Sequence, residues 1–267
     1  MRGSVFIDTL KTSWRTTLLW GAGMAAFMWF FVLITPSLAS LDIVPLLATL
    51  PDPILAAAGI QNIEVIGTVT GLLALGFFGK MAILFAAYPA FVGMRVTTND
   101  EDLGAMDVVL SLPIPRWQMI VEKFLAYSVN IAFLVLMVIA GLFGGLASVT
   151  LDDIQTGRLV MISLNLIPVL MLVLAVTIFI GALVNRKQTV LMSVTAFIVV
   201  SYIVFTVGGM VDATWMNALE ALSFFSYYNV EYLLENGVVP AHLAIMTLSI
   251  IAFMGGSLLV FNRRDIA

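Results

Sequence analysis

The residues able to carry chemistry are few and thinly spread along an apolar chain. There is no cysteine and a single histidine, His242, which leaves no thiolate nucleophile, no disulfide framework and no multi-histidine zinc or haem site. A serine–histidine pair would have to use His242, beside Pro240 at the edge of the last apolar run, and no Gly-x-Ser-x-Gly elbow occurs. Paired acids within an apolar run, as an intramembrane aspartyl mechanism needs, are absent as well. The nearest approach to a phosphate loop is GLLALGFFGKM, Gly71 to Met81. Gly71 and Gly76 have the right separation, but Phe77 follows where lysine is required. The chain reads as no enzyme, with no cofactor of its own and no metal site.

Two features remain. Lys80 stands alone within a long apolar run, and an ionisable group there is a functional candidate by default. It lines a path for an anionic or amphiphilic substrate, faces a subunit contact, or snorkels to an edge. The second feature is the stretch NDEDLGAMDVVLSLPIPRWQMIVEK, Asn99 to Lys123. Its first nine residues hold four of the sixteen acids, Asp100, Glu101, Asp102 and Asp107. Thr98 or Asn99 can cap a helix whose first turn carries three of them, where they meet the positive end of the helix dipole. Leu103, Met106, Val109 and Leu110 give that helix an apolar side, and Pro113 and Pro115 end it. A second helix restarts near Arg116. The segment is either a rigid docking surface for a cytosolic partner or a solvated, well-capped loop.

The elements around these residues follow from hydropathy. The 267-residue chain is 61% hydrophobic and 10% charged, with a mean hydropathy of +1.09. Soluble domains carry about a quarter charged residues, so this is an integral membrane protein. A span needs about 20 apolar residues. Six candidates occur, at 17–37, 67–94, 123–148, 159–184, 189–210 and 241–261, and the chain forms one all-α transmembrane domain over 1–267. Splitting the second run at Lys80 would leave two pieces too short to cross, so it is one tilted or bent helix. The first run is a permanent span, too long for the apolar core of a signal peptide despite PSLAS at Pro36 to Ser40.

Charge sets the orientation. Ten of the twelve basic residues fall on the side shared by both termini: Arg2, Lys11, Arg15, Arg95, Arg116, Lys123, Arg186, Lys187, Arg263 and Arg264. The positive-inside rule places that side in the cytoplasm of the cell membrane. Before the first span, Phe6, Leu10 and Trp14 recur every four residues, with Asp8, Lys11 and Arg15 opposite. Residues 1–16 thus form an interfacial amphipathic helix or a helical extension of the span. Between the last two spans, residues 212–236 carry Trp215, Phe224, Phe225, Tyr227, Tyr228 and Tyr232 among scattered acids. They are expected to form two short re-entrant or interfacial helices broken near Asn229, or a plain interfacial loop.

The segment EDLGAMDVVLSLPIPRWQMIVEKFLA resembles the cytoplasmic loop of type 2 ATP-binding-cassette (ABC) transporter permeases. Glu101, Gly104, Leu110, Ser111, Pro113, Arg116 and Lys123 occupy the matching positions, while Asp107 and Val109 stand where glutamate and leucine are common. The ending FNRRDI, Phe261 to Ile266, is similar to the arginine-rich close of that family's sixth span. The resemblance implies the membrane half of an exporter. Two permease subunits, identical or homologous, pair around a central path, and residues 99–112 form a coupling helix that docks on a cytosolic ATPase dimer. It implies Asp100, Glu101, Asp102, Leu103, Gly104 and Met106 as coupling contacts, with ATP and Mg bound by the partner ATPase alone. Lys80 is the candidate for the path, and Trp215, Phe224, Phe225, Tyr228 and Tyr232 for an outer gate. The bilayer is the other partner, and no nucleic acid is expected. A secondary transporter and a non-transporting scaffold subunit are the alternative readings.

Overall fold

The computed structural model describes residues 4–41, 43–51, 54–55, 60, 62–97, 115–184, 186–208 and 214–263. Among them there is no strand. Six helices are long and apolar enough to cross a membrane. The first is α1 (Ser4–Ala39). Short helices α2 (Val44–Leu47) and α3 (Ile63–Ile66) follow. The second span is composite: α4 (Val69–Leu73), a π-helical turn at Ala74–Gly79, then α5 (Lys80–Thr97). Next come α6 (Arg116–Leu146), α7 (Thr156–Leu183) and α8 (Lys187–Gly208). Two short helices, α9 (Thr214–Glu220) and α10 (Val230–Asn236), precede the last span, α11 (Pro240–Arg263).

The 36 residues of α1 make a helix of about 54 Å, well beyond the ~30 Å of a hydrocarbon core. It runs without a break through the amphipathic segment, so its first turns extend the span rather than form a separate element. A stripe of small polar residues explains how this part is held. Thr9, Ser13 and Thr17 are buried, and each donates its hydroxyl to the carbonyl one turn back, at 2.7, 2.7 and 3.1 Å. Such bonds hide polar groups inside an apolar environment without an outside partner.

Helix α1 packs along α6 over most of its length. The seam is made by small residues, which let backbones approach closely where the bilayer gives no hydrophobic drive to associate. A Cβ on Gly141 would overlap the Ala25 carbonyl, and one on Gly145 would lie 2.6 Å from Val32 Cβ. The centre of the bundle is α7, which contacts α5, α6, α8 and α11. Its side chains are buried on most of its circumference, as expected for a helix that is apolar all round. Helix α8 lies at the edge. Val190, Val194, Ile198 and Ser201 face inward, while Met192, Val200 and Ile203 are more than half exposed.

Candidate functional site

The π turn in the second span decides where Lys80 points. Adding one residue to a helical turn rotates everything after it by about 100°. Phe77 and Phe78, inside the turn, are wholly buried, and Phe77 meets Phe27, Phe31 and Phe85 at 5.7, 5.8 and 5.9 Å between ring centres. Lys80 follows directly and is exposed. Leu84 and Phe91, both exposed, share its face at helical spacing, and the Arg95 guanidinium lies 4.6 Å over the Phe91 ring. The outward strip of α5 therefore runs from one cation near mid-span to another at the basic end, with an apolar stretch between. The glycines that mimic a phosphate loop have packing roles instead. A Cβ on Gly71 would overlap the Val65 carbonyl, and one on Gly76 would meet Phe31.

Behind the strip lies a buried polar knot. Tyr88 is fully buried, and its hydroxyl is 2.7 Å from Thr17 Oγ1. Asn130 Nδ2 of α6 donates to Ser13 Oγ at 2.7 Å. Three helices are thereby tied by hydrogen bonds in the half of the bundle nearer the basic face. At that face Glu122 of α6 accepts from the Phe6 backbone N–H at 3.1 Å and from Gln118 Nε2 at 2.6 Å. It thus satisfies one of the orphan donors at the start of α1.

On the opposite, acidic face the segment between α8 and α11 folds inward. Phe224 stacks on Phe197, with ring centres 5.6 Å apart and planes at 20°, and Phe197 is near the middle of α8. Phe225 meets Tyr202 edge-on at 5.4 Å. Backbone without helical pairing is tolerated at membrane depth only where protein satisfies it, and here hydroxyls do so. Ser223 Oγ donates to the Ser201 carbonyl at 2.7 Å. Ser201 Oγ accepts the Phe224 N–H at 3.2 Å, and Ser223 Oγ accepts the Phe225 N–H at 3.3 Å. Tyr227 and Ser226 donate to the carbonyls of Ala221 and Glu220 at 2.6 and 2.8 Å. Burial raises the Tyr228 hydroxyl above its usual range, and burial also lifts the Glu220 carboxyl.

Asn229 caps α10 by accepting the Tyr232 N–H at 3.1 Å. Helix α10 then rests against the π turn. Its buried Glu231 accepts the Asn62 backbone N–H, and Glu235 accepts from Asn62 Nδ2 at 3.1 Å. The loop before span two is thus fastened onto the folded-in hairpin.

Of the outer-gate set, Phe224, Phe225 and Tyr228 come together, each 3% exposed. Trp215 and Tyr232 stand apart at 61% and 44%. Tyr232 lies 6.1 Å from the ring of His242, which Tyr227 meets edge-on at 5.5 Å, so the histidine is part of an aromatic cluster. Asp100, Glu101, Asp102, Leu103, Gly104 and Met106 lie outside the described residues. Their flanks, Thr97 ending α5 and Arg116 starting α6, are both on the basic face. Sequence reasoning missed Ser201, Ser223, Asn62 and the Thr17–Tyr88–Asn130 group. A signal existed for α1 in the four-residue spacing of Thr9, Ser13 and Thr17, and for α6 in the isolated Asn130.

No curated protein matches the chain. The model of the ABC-2 family transporter proteins matches residues 10–266, nearly the whole length. The chain belongs to the ABC-2 family of transporter proteins, the non-catalytic membrane component of ABC transporters.

Proposed function

We propose that this chain is the permease of an ATP-driven exporter. A separately encoded cytosolic ATPase dimer binds ATP and Mg and docks on the segment at 99–112, through Asp100, Glu101, Asp102, Leu103, Gly104 and Met106. Both termini lie in the cytoplasm, and the protein resides in the cell membrane. A second permease subunit pairs with it, and the exposed apolar face of α8 is available for that contact.

The observation that carries the reading is which two helix ends the acidic segment connects along the chain. It joins the basic-face ends of α5 and α6, the helix that bears the Lys80–Phe91 strip and the helix bonded to α1 through Glu122. Force applied there acts on the candidate path and on the α1–α6 pair together. ATP binding closes the ATPase dimer and biases a two-state membrane domain through differential contacts. The folded-in hairpin, with Phe224, Phe225 and Tyr228 at its buried tip and Trp215 and Tyr232 at its rim, closes the far end of the path.

Purification of the tagged protein from its native membrane in mild detergent tests this. A stoichiometric soluble subunit carrying a phosphate loop is the expected companion. An intact, monodisperse protein without one removes the ATP-driven reading.

A further inference from the structure

Helix α1 carries two strips of opposite character. Thr9, Ser13 and Thr17 are buried, and the last two bond to Asn130 of α6 and Tyr88 of α5. On the far side of the same turns Ile7, Lys11, Arg15, Leu18 and Ala22 recur at helical spacing, and all five are exposed. Trp14 flanks them, 52% exposed, with the Arg15 guanidinium 5.5 Å from its ring centre. From this arrangement we infer a binding site for an anionic phospholipid, its phosphate held by Lys11 and Arg15 and its acyl chain along Leu18 and Ala22. The inference needs only that α1 crosses the bilayer, so it stands independently of the exporter reading.

Depth narrows the choice of occupant. The apolar run of α1 begins at residue 17, and about 20 residues of helix fill the ~30 Å hydrocarbon core. Arg15 therefore lies just outside the core, and Lys11 about 6 Å further out, one helical turn away. Both are then at the level of headgroup phosphates, and tryptophan beside them is a residue type that settles at that boundary. Leu18, one turn the other way, enters the hydrocarbon with its side chain exposed. An occupant of the strip has to be anionic at one end and apolar one turn away. An acidic soluble partner meets the first condition alone, whereas a phospholipid meets both.

Charge selects among phospholipids. Asp8 is the only acid in the sequence of α1. It stands one turn beyond Lys11 and two beyond Arg15, and among the described residues no ion pair joins it to either. Glu122, the only acid in the sequence of α6, is engaged by the Phe6 N–H and by Gln118. Two cations one turn apart repel each other and both gain from a shared anion. The Arg15 guanidinium can fork to two phosphate oxygens, and the Lys11 ammonium can take another. A zwitterionic headgroup brings an ammonium of its own, so the pair favours net negative lipid. Each cation at the membrane surface contributes about fivefold to that preference, and two contribute about thirtyfold.

Trp14 reports on the site. The full chain is placed in phosphatidylcholine nanodiscs that contain a rising share of brominated phosphatidylglycerol, and in parallel of brominated phosphatidylcholine. Bromine quenches tryptophan at contact, and a Trp14→Phe protein subtracts the signal of the other four tryptophans. The expected result is Trp14 quenching that saturates at a mole fraction about tenfold lower, or less, for the anionic lipid. The preference should weaken as salt is raised. It should be lost when Lys11→Gln and Arg15→Gln are combined, and kept in Lys11→Arg. Equal quenching by the two lipids in the unmodified protein overturns the proposal without any variant. So does a correctly folded double variant that keeps the preference, which would place its source elsewhere on the chain. A Trp14 that neither lipid quenches, in a protein of dimeric mass, assigns the strip to a second copy and overturns it as well.

Discussion

Ser223 Oγ donates to the carbonyl of Ser201 at 2.7 Å, and the two hydroxyls accept the backbone N–H groups of Phe224 and Phe225. This one pair of side chains lets a non-helical segment reach the middle of the bundle beside α8. An unsatisfied buried donor costs about 1–3 kcal/mol. Ser223→Ala should therefore lower the thermal midpoint in detergent by several degrees, and Ser201→Ala by a similar amount. The double variant should fall short of the sum, because both changes break the same hydrogen-bonded unit. Additive losses in a thermal-unfolding series would mean that the two serines act independently.

The α1–α6 seam makes a sharper steric prediction. Gly141→Val places a branched side chain against the Ala25 carbonyl and should remove most of the monodisperse protein on size-exclusion chromatography. Gly255→Ala, where a Cβ meets nothing within 4 Å, should leave the elution profile unchanged. A normal profile for Gly141→Val would show that the two helices are not held at this distance.

Glu220 sets a pH dependence. Burial raises its carboxyl above the usual glutamate range, so the folded protein holds this proton at pH values where the unfolded chain has released it. Across that window stability falls as pH rises, and above it the deficit stays constant. Comparison of the protein with Glu220→Gln should show their melting temperatures diverging as pH climbs upward from the ordinary glutamate range, with the glutamine variant the more stable at the upper end. Parallel melting curves would remove the burial effect.

The six spans were legible because each is a long apolar run, and length and hydropathy suffice for that. The run around Lys80 is likewise one continuous candidate span, Val69–Thr97. The π turn at Ala74–Gly79 joins its two helical parts, and Lys80, directly after it, is exposed. The depth of the hairpin was not legible. Aromatic residues with scattered acids describe an interfacial segment and an inserted one equally well. What distinguishes them is the pairing of Phe224 with Phe197 and of Ser223 with Ser201, contacts between separate helices that leave no local pattern. The same holds for Asn62 with Glu231 and Glu235. The proposed coupling residues are suggested only by the motif from Glu101 to Lys123, because a docking surface takes its meaning from a partner.

The central claim is that ATP hydrolysis by a partner subunit acts on this permease through residues 99–112. The most direct test is ATP turnover of the assembled complex in nanodiscs, with the chain intact and with the double substitution Glu101→Lys and Gly104→Arg. The account predicts that both proteins insert and assemble alike in the membrane, and that stimulation of ATPase activity by the permease is lost in the variant. Undiminished stimulation by a correctly inserted double variant would contradict it.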